Sequence, residues 1–171
     1  MEKVSFGLIG YGAWGSHHAR VIDEGPQTRL VAIAERAVTN RAEARAKHPQ
    51  AVVVADYREL LGQDDIEVMD VVLPSHLHHE VGRAVLQAGK HLLLEKPMAL
   101  TVAECQDLVQ AARTAGEVSR TCTELVHGYN RHPAWDETSC HACYQADELT
   151  ALEGIIPGID GSARAYSDVS E

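Results

Sequence analysis

Aromatic side chains are scarce in this sequence, at 5% with a single Phe, and no apolar run comes near the roughly 18 residues that a membrane-spanning helix needs. The N-terminal stretch MEKVSFGLIGYGAWG lacks the uninterrupted apolar segment and cleavage site of an export signal, so a cytoplasmic location is expected. Positive charge is short as well: 15 Lys and Arg stand against 25 Asp and Glu, a formal net charge of −10. Such a chain has no long-range attraction to a nucleic-acid backbone or an anionic membrane surface, and neither is expected as a partner. Small-molecule chemistry is left as the starting point. Cysteine is limited to Cys105, in an amphipathic stretch, and to Cys122, Cys140 and Cys143 late in the chain. With no secretory context, reduced thiols are the expectation.

What is present is enough for one packed domain and an appendage. The 171 residues are too few for two full-sized domains, while 45% hydrophobic and 23% charged residues exclude a disordered or collagen-like chain. Up to about residue 116, short apolar runs alternate with helical stretches, the pattern of a parallel sheet with crossover helices. Five strands are predicted: Val4 to Ile9, Leu30 to Ala34, Ala51 to Val54, Val68 to Leu73 and His91 to Leu94. Most are continuous apolar runs, as expected where helices cover both faces. Gly25-Pro26 and Pro49 end the first two helices, and Gly89 follows the fourth. The fifth helix has a T-x-x-E capping box in Thr101 and Glu104, an apolar stripe from Val102 through Cys105, Leu108, Val109 and Ala112, and a stop at Gly116. The fold class is α/β, a doubly wound parallel sheet of the Rossmann type over residues 1–120, followed by an irregular tail.

Between the first strand and the first helix lies Gly10-Tyr11-Gly12-Ala13-Trp14-Gly15, a G-x-G-x-x-G run in the strand-turn-helix context that gives the motif its meaning. Gly10 permits the tight turn, Gly12 lets backbone amides approach a pyrophosphate, and Gly15 lets the helix pack closely on the strand. The helix N-terminus then attracts the anion. Glu35 ends the second strand 20 residues after Gly15, where a carboxylate accepts hydrogen bonds from the ribose hydroxyls of an adenosine. Its charge opposes a 2′-phosphate and favours NAD. Arg36 follows at once, and either stacks on adenine, pairs with such a phosphate, or is a solvated surface charge, so NADP stays open.

Two further segments fall at strand ends, where ligands sit in open α/β sheets. Leu73-Pro74-Ser75-His76-Leu77-His78-His79 follows the fourth strand, with Pro74 stopping it, Ser75 capping what comes next and His78 a candidate to face a cofactor. Glu95-Lys96-Pro97 follows the fifth. His76, His78 and His79 cluster as metal ligands would, but no carboxylate or cysteine stands at a matching spacing, and a metal site is not assigned. His17 and His18, just inside the first helix, are assigned no chemistry.

In order and spacing over residues 1–116, these elements resemble the glucose-fructose oxidoreductase, inositol dehydrogenase and rhizopine-catabolism family (Gfo/Idh/MocA). The carriers are the glycine turn, the acid-Arg pair after strand two, P-S-H-L-H after strand four, and G-K-H-L-L-L-E-K-P before a capped helix; E-K-P is the most diagnostic. The resemblance implies an NAD(P)-dependent oxidoreductase that moves hydride between nicotinamide and a sugar or cyclic polyol. It implies that Glu95 bonds the nicotinamide ribose and that Lys96 is the catalytic acid/base or orienting group. It further implies that Pro97 fixes the turn, and that Pro74 to His78 line the nicotinamide side, with Ser75 where the family often has asparagine. A lysine suits that place, since an ammonium beside a reacting carbon polarises a carbonyl or exchanges a hydroxyl proton.

The resemblance fades in the tail. Family members continue into a mixed-sheet domain that forms the substrate floor and usually the dimer surface, so a homo-oligomer is expected only where that domain is present. Residues 1–120 hold 13 basic and 16 acidic side chains, net −3, while residues 121–171 hold 2 and 9, net −7. Gly128 to Trp135 resembles the family's G-Y-N-R-R-F-x-P stretch in altered form, and nothing after Trp135 does. A truncated or frame-shifted reading of a longer enzyme is the preferred explanation. A naturally short, non-catalytic NAD(P)-binding module is the alternative, and a tail with its own role is a third. That third role would rest on Cys140-His141-Ala142-Cys143 with Cys122, His127 and His132, although no second C-x-x-C completes a known zinc module.

Overall fold

The computed structural model describes residues 3–116 and 119–121. The cysteines and histidines of the tail, and the stretch from Gly128 to Trp135, lie outside the described residues.

Apolar runs that would aggregate if exposed become strands, buried on both sides at the centre of the sheet, while the edge run Val52–Val54 stays partly exposed. Strand β1 (Val4–Ile9) is buried along its whole length and pairs in parallel with β2 (Thr28–Ala34) and β4 (Val68–Val71). Outward from these lie β3 (Val52–Val54) on one side, then β5 (His91–Leu94) and β6 (Ser119–Thr121) on the other. The resulting order is β3-β2-β1-β4-β5-β6 with every pair parallel, the doubly wound arrangement expected from the sequence. The sixth strand is an addition to the five predicted. Ser119, Arg120 and Thr121 carry no apolar run, and their strand exists because β5 offers an open parallel edge.

Two helical layers close the sandwich. On one face, α1 (Ala13–Glu24) and α2 (Val38–Lys47) cover Val4, Phe6, Leu8, Leu30, Ile33 and Val68 with Ala19, Ile22 and Ala44. On the other, the short α3 (Arg58–Leu61), α4 (His78–Gln87) and α5 (Val102–Ala115) cover Ile9, Met69, Val71, Leu92 and Leu94. Leu8 and Ile33 have no accessible surface, and each such side chain contributes about 1.5–3 kcal/mol by leaving water. Gly89 and Gly116 both adopt left-handed angles, and the Thr101–Glu104 capping box is formed in both directions.

The order of strands places the site. Successive crossovers run outward from β1 to β3 on one side and from β4 to β6 on the other, so the loops after the parallel neighbours β1 and β4 part and leave a crevice at the carboxyl edge of the sheet. The glycine run follows β1, Pro74 follows β4, and the E-K-P segment follows β5 beside it.

Candidate functional site

Each glycine of the turn meets a different demand. Gly10 has φ of +97°, and a Cβ there would lie 2.1 Å from the Val72 carbonyl oxygen. A Cβ on Gly15 would lie 2.0 Å from the Gly10 carbonyl oxygen, so the first turn of α1 rests directly on the loop. At Gly12 the opposite holds: a Cβ would meet nothing within 4 Å. Gly12 therefore borders open space, and it caps a helix whose first turn has no side-chain cap and no acid. Uncapped first-turn amides and the positive end of the helix dipole form a cradle for an anion. Ala13 and Trp14 continue the rim, and the Trp14 ring is 68% exposed, against the His17 ring at a centroid distance of 5.8 Å.

Glu35 is fixed beside this cradle. One carboxylate oxygen accepts the Tyr11 N–H at 2.6 Å, tying the end of β2 to the glycine turn, and the other accepts the Ala37 N–H at 2.7 Å. Arg41 donates to the Glu35 carbonyl at 2.8 Å and also to that of Arg36, which holds the acid-Arg corner from the side of α2. The Arg36 side chain itself is exposed. Tyr11 turns inward, edge-on to His48, and burial pushes its hydroxyl above the usual phenol range.

On the β4 and β5 side, Pro74 precedes a single 3₁₀ turn (Ser75–Leu77) that leads into α4. His78, expected along the nicotinamide side, is buried, with Nδ1 at 2.6 Å from the Pro97 carbonyl and Nε2 at 2.7 Å from the Leu73 carbonyl. Both ring nitrogens are thus taken up by backbone, and His78 shapes the wall by tying the loop after β4 to the E-K-P segment. Ser75 is half-buried and Pro74 exposed on the loop in front of it. Glu95 donates its N–H to the Val71 carbonyl, and its carboxylate accepts the Lys96 N–H at 3.1 Å. Lys96 and Pro97, joined by a cis peptide bond, are exposed, and the Lys96 ammonium has no hydrogen-bond partner among the described residues.

The other histidines disperse. His76 is exposed, and His79 joins Asp107 and Arg83 on the outer surface between α4 and α5. Among the described residues no group of three His, Cys, Asp or Glu is placed to hold a metal ion.

Two residues of the site were not found from sequence. His18 faces inward from α1, its Nδ1 donating to Asp70 at 2.8 Å and its Nε2 standing 3.4 Å from a Glu95 oxygen. The hydrogen bond to Asp70 raises the imidazole above its ordinary range, outweighing the effect of partial burial. Burial likewise drives the Asp70 carboxyl upward, opposed by His18. Asp70 did leave a signal, as the one charge inside the apolar run Val68 to Leu73.

The model of an oxidoreductase family with an NAD-binding Rossmann fold, GFO_IDH_MocA, matches residues 4–122. An NADP⁺-dependent scyllo-inositol 2-dehydrogenase of Bacillus subtilis is 35% identical over 118 residues, covering 68% of this chain and 32% of that protein. A glycosyl hydrolase family 109 protein of a Shewanella species is 30% identical over 172 residues, covering 94% and 34% respectively. A 3-ketoreductase of Actinomadura kijaniata, solved with NADP and TDP-benzene, superposes with a TM-score of 0.68 at 28% identity, covering 78% of this chain and 40% of that one. The chain spans about a third of the length of these curated relatives. Their names cover a dehydrogenase, a hydrolase and a ketoreductase, so what they share with this chain is a common domain beneath different net reactions.

Proposed function

Because the chain belongs to the oxidoreductase family with an NAD-binding Rossmann fold, we propose that its described domain grips NAD(P) across the crevice between β1 and β4. The whole protein would then act by hydride transfer to or from a hydroxyl or carbonyl carbon of a sugar or cyclic polyol. The observation that carries this reading is the cradle itself: an uncapped helix N-terminus open at Gly12, with the Glu35 carboxylate pinned to the amide of the same loop. In this reading the amides of Gly12 to Gly15 bind the pyrophosphate and Glu35 bonds the adenosine ribose. The fixed charge of Glu35 favours NAD over a 2′-phosphorylated cofactor, and the exposed Arg36 beside it keeps NADP within reach.

Nicotinamide, when bound, supplies the hydride donor or acceptor. Glu95 orients the ribose next to it, Pro74, Ser75 and Pro97 form the wall, and Lys96 Nζ donates or takes the proton of the reacting oxygen. Substrate choice and subunit association are assigned to the part of the relatives that this chain does not span. A second reading, a module that binds NAD(P) without turnover, draws support from Lys96: its ammonium is exposed, and no described residue holds it in place.

Calorimetry with NADH and NADPH on the full chain, followed by turnover assays on polyols and sugars, separates the readings. Binding with turnover that falls at least about 100-fold in Lys96→Ala, while cofactor affinity holds, supports the enzyme with Lys96 as acid/base. Binding without turnover on any polyol or sugar supports the module. Absence of binding removes both.

A further inference from the structure

Asp70 stands in the middle of the apolar strand β4 with no accessible surface. A carboxylate in that position loses its hydration, and a well-packed apolar side chain there would be expected to stabilise the sheet at least as well. The compensation is incomplete: Asp70 Oδ1 finds no hydrogen-bond partner among the described residues, and only Oδ2 is used, by His18. Strand parity points Asp70 toward the α1 face, and His18, three residues after Gly15 in α1, meets it there. With Nδ1 committed to Asp70, the ring is oriented so that Nε2 faces Glu95 Oε1 at 3.4 Å, while Glu95 Oε2 accepts the Lys96 N–H. The three side chains form one line of contacts from the core to the site.

We propose that Asp70 and His18 are positioning residues that hold the Glu95 carboxylate in its ligand-binding orientation and couple the grip on a dinucleotide to the proton on His18 Nε2. This rests on the reading of Glu95 as a ribose ligand. With Nε2 protonated, the ring donates toward Oε1 and Glu95 is held between His18 and the Lys96 amide. Without that proton, a nitrogen lone pair faces a carboxylate oxygen and the contact turns repulsive. The charged groups around the ring are Asp70 from β4 and Glu95 from the end of β5, both acids that favour the charged ring. Lys96 next to Glu95 is exposed. On α1 itself, His17 turns outward against Trp14 and Arg20 pairs with Glu24 at the surface.

Two measurements on the full chain test this. The first uses no cofactor: the His18 ring is titrated by ¹⁵N NMR in wild type, Asp70→Asn and Glu95→Gln. The wild-type midpoint is expected above the ordinary histidine value, with a fall of about one pH unit in Asp70→Asn and a smaller fall in Glu95→Gln. Glu95→Gln, at the edge of the sheet, keeps the test decisive should Asp70→Asn fail to fold. A midpoint unmoved in the variants that fold overturns the proposal. The second follows NADH binding by fluorescence from pH 6 to 9. Wild-type affinity is expected to fall roughly tenfold as pH rises through the His18 midpoint, with the fall displaced to lower pH in Asp70→Asn and absent in His18→Gln. Identical pH profiles in all three overturn the coupling. If NADH fails to bind at any pH while the His18 midpoint still moves in the variants, the ligand reading of Glu95 falls and the coupling with it. An unmoved midpoint with intact NADH binding instead removes the relay alone.

Discussion

Gly12 and Gly15 are both glycines of one turn, yet the structure gives them opposite reasons for lacking a side chain. Gly15 is excluded from carrying a Cβ by the Gly10 carbonyl oxygen at 2.0 Å, a contact within the fold, whereas a Cβ on Gly12 meets nothing within 4 Å. Gly15→Ala is therefore expected to destabilise the chain by about 1–3 kcal/mol in urea unfolding. Gly12→Ala should cost no more than about 1 kcal/mol while weakening dinucleotide binding at least tenfold, since its methyl group would occupy the place of a ligand rather than of the protein. Equal stability losses in the two variants would contradict that division. His18 gives a second prediction at this scale. Its proton affinity is raised on folding, so its contribution to stability is complete below the ordinary histidine midpoint of about 6.5 and is lost as pH rises through the higher folded midpoint. The raised Asp70 carboxyl works in the same direction from lower pH upward. Unfolding free energy should decline with pH in the neutral to mildly alkaline window, and Asp70→Asn should flatten the decline; an unchanged slope in that variant would count against the pair. The glycine turn could be read in the sequence because its meaning is local. The His18–Asp70 contact could not, because its two residues lie 52 apart in the chain and meet only through β4 lying beside β1.

Helix α5 shows how far an element can be read ahead of its structure. Thr101 accepts the Glu104 N–H while the Glu104 carboxylate accepts the Thr101 N–H, and Cys105, Leu108 and Ala112 of the predicted stripe are buried. Thr101→Ala should lower stability by about 1 kcal/mol, visible as a shift in the urea midpoint without a change in slope. Strand β6 marks the limit. A three-residue run of Ser, Arg and Thr has no hydrophobic period, and its pairing with Leu92 to Leu94 is a tertiary fact rather than a local preference. The apolar run Val68 to Leu73 likewise outlasts its strand by two residues, since Val72 and Leu73 keep the apolar character of β4 while leaving the ladder to enter the loop before Pro74.

For the molecule as a whole, the strand order brings together four segments that lie apart in the sequence: the glycine turn, the acid-Arg corner after β2, the loop after β4 and E-K-P. They are joined by named contacts. Tyr11 meets Glu35, His78 ties Leu73 to Pro97, and His18 reaches Glu95. Sequence placed these segments at strand ends but could not say that His78 would be consumed by backbone carbonyls or that His18 would join the group. The substrate was not legible for a different reason. Relatives named as an inositol dehydrogenase and as a glycosyl hydrolase share this domain, and the chain spans only about a third of either, so likeness within the domain does not single out one substrate.

The proposed function stands on the turn after β1 and the acid after β2 together holding a dinucleotide. Isothermal titration of NADH and NADPH into the full chain, with Gly12→Ala alongside, tests it most directly. One site per chain is expected, tighter for NADH than for NADPH, with its heat largely lost in Gly12→Ala. A folded wild-type chain that gives no saturable heat at millimolar dinucleotide, or a Gly12→Ala variant that binds as the wild type does, would contradict it.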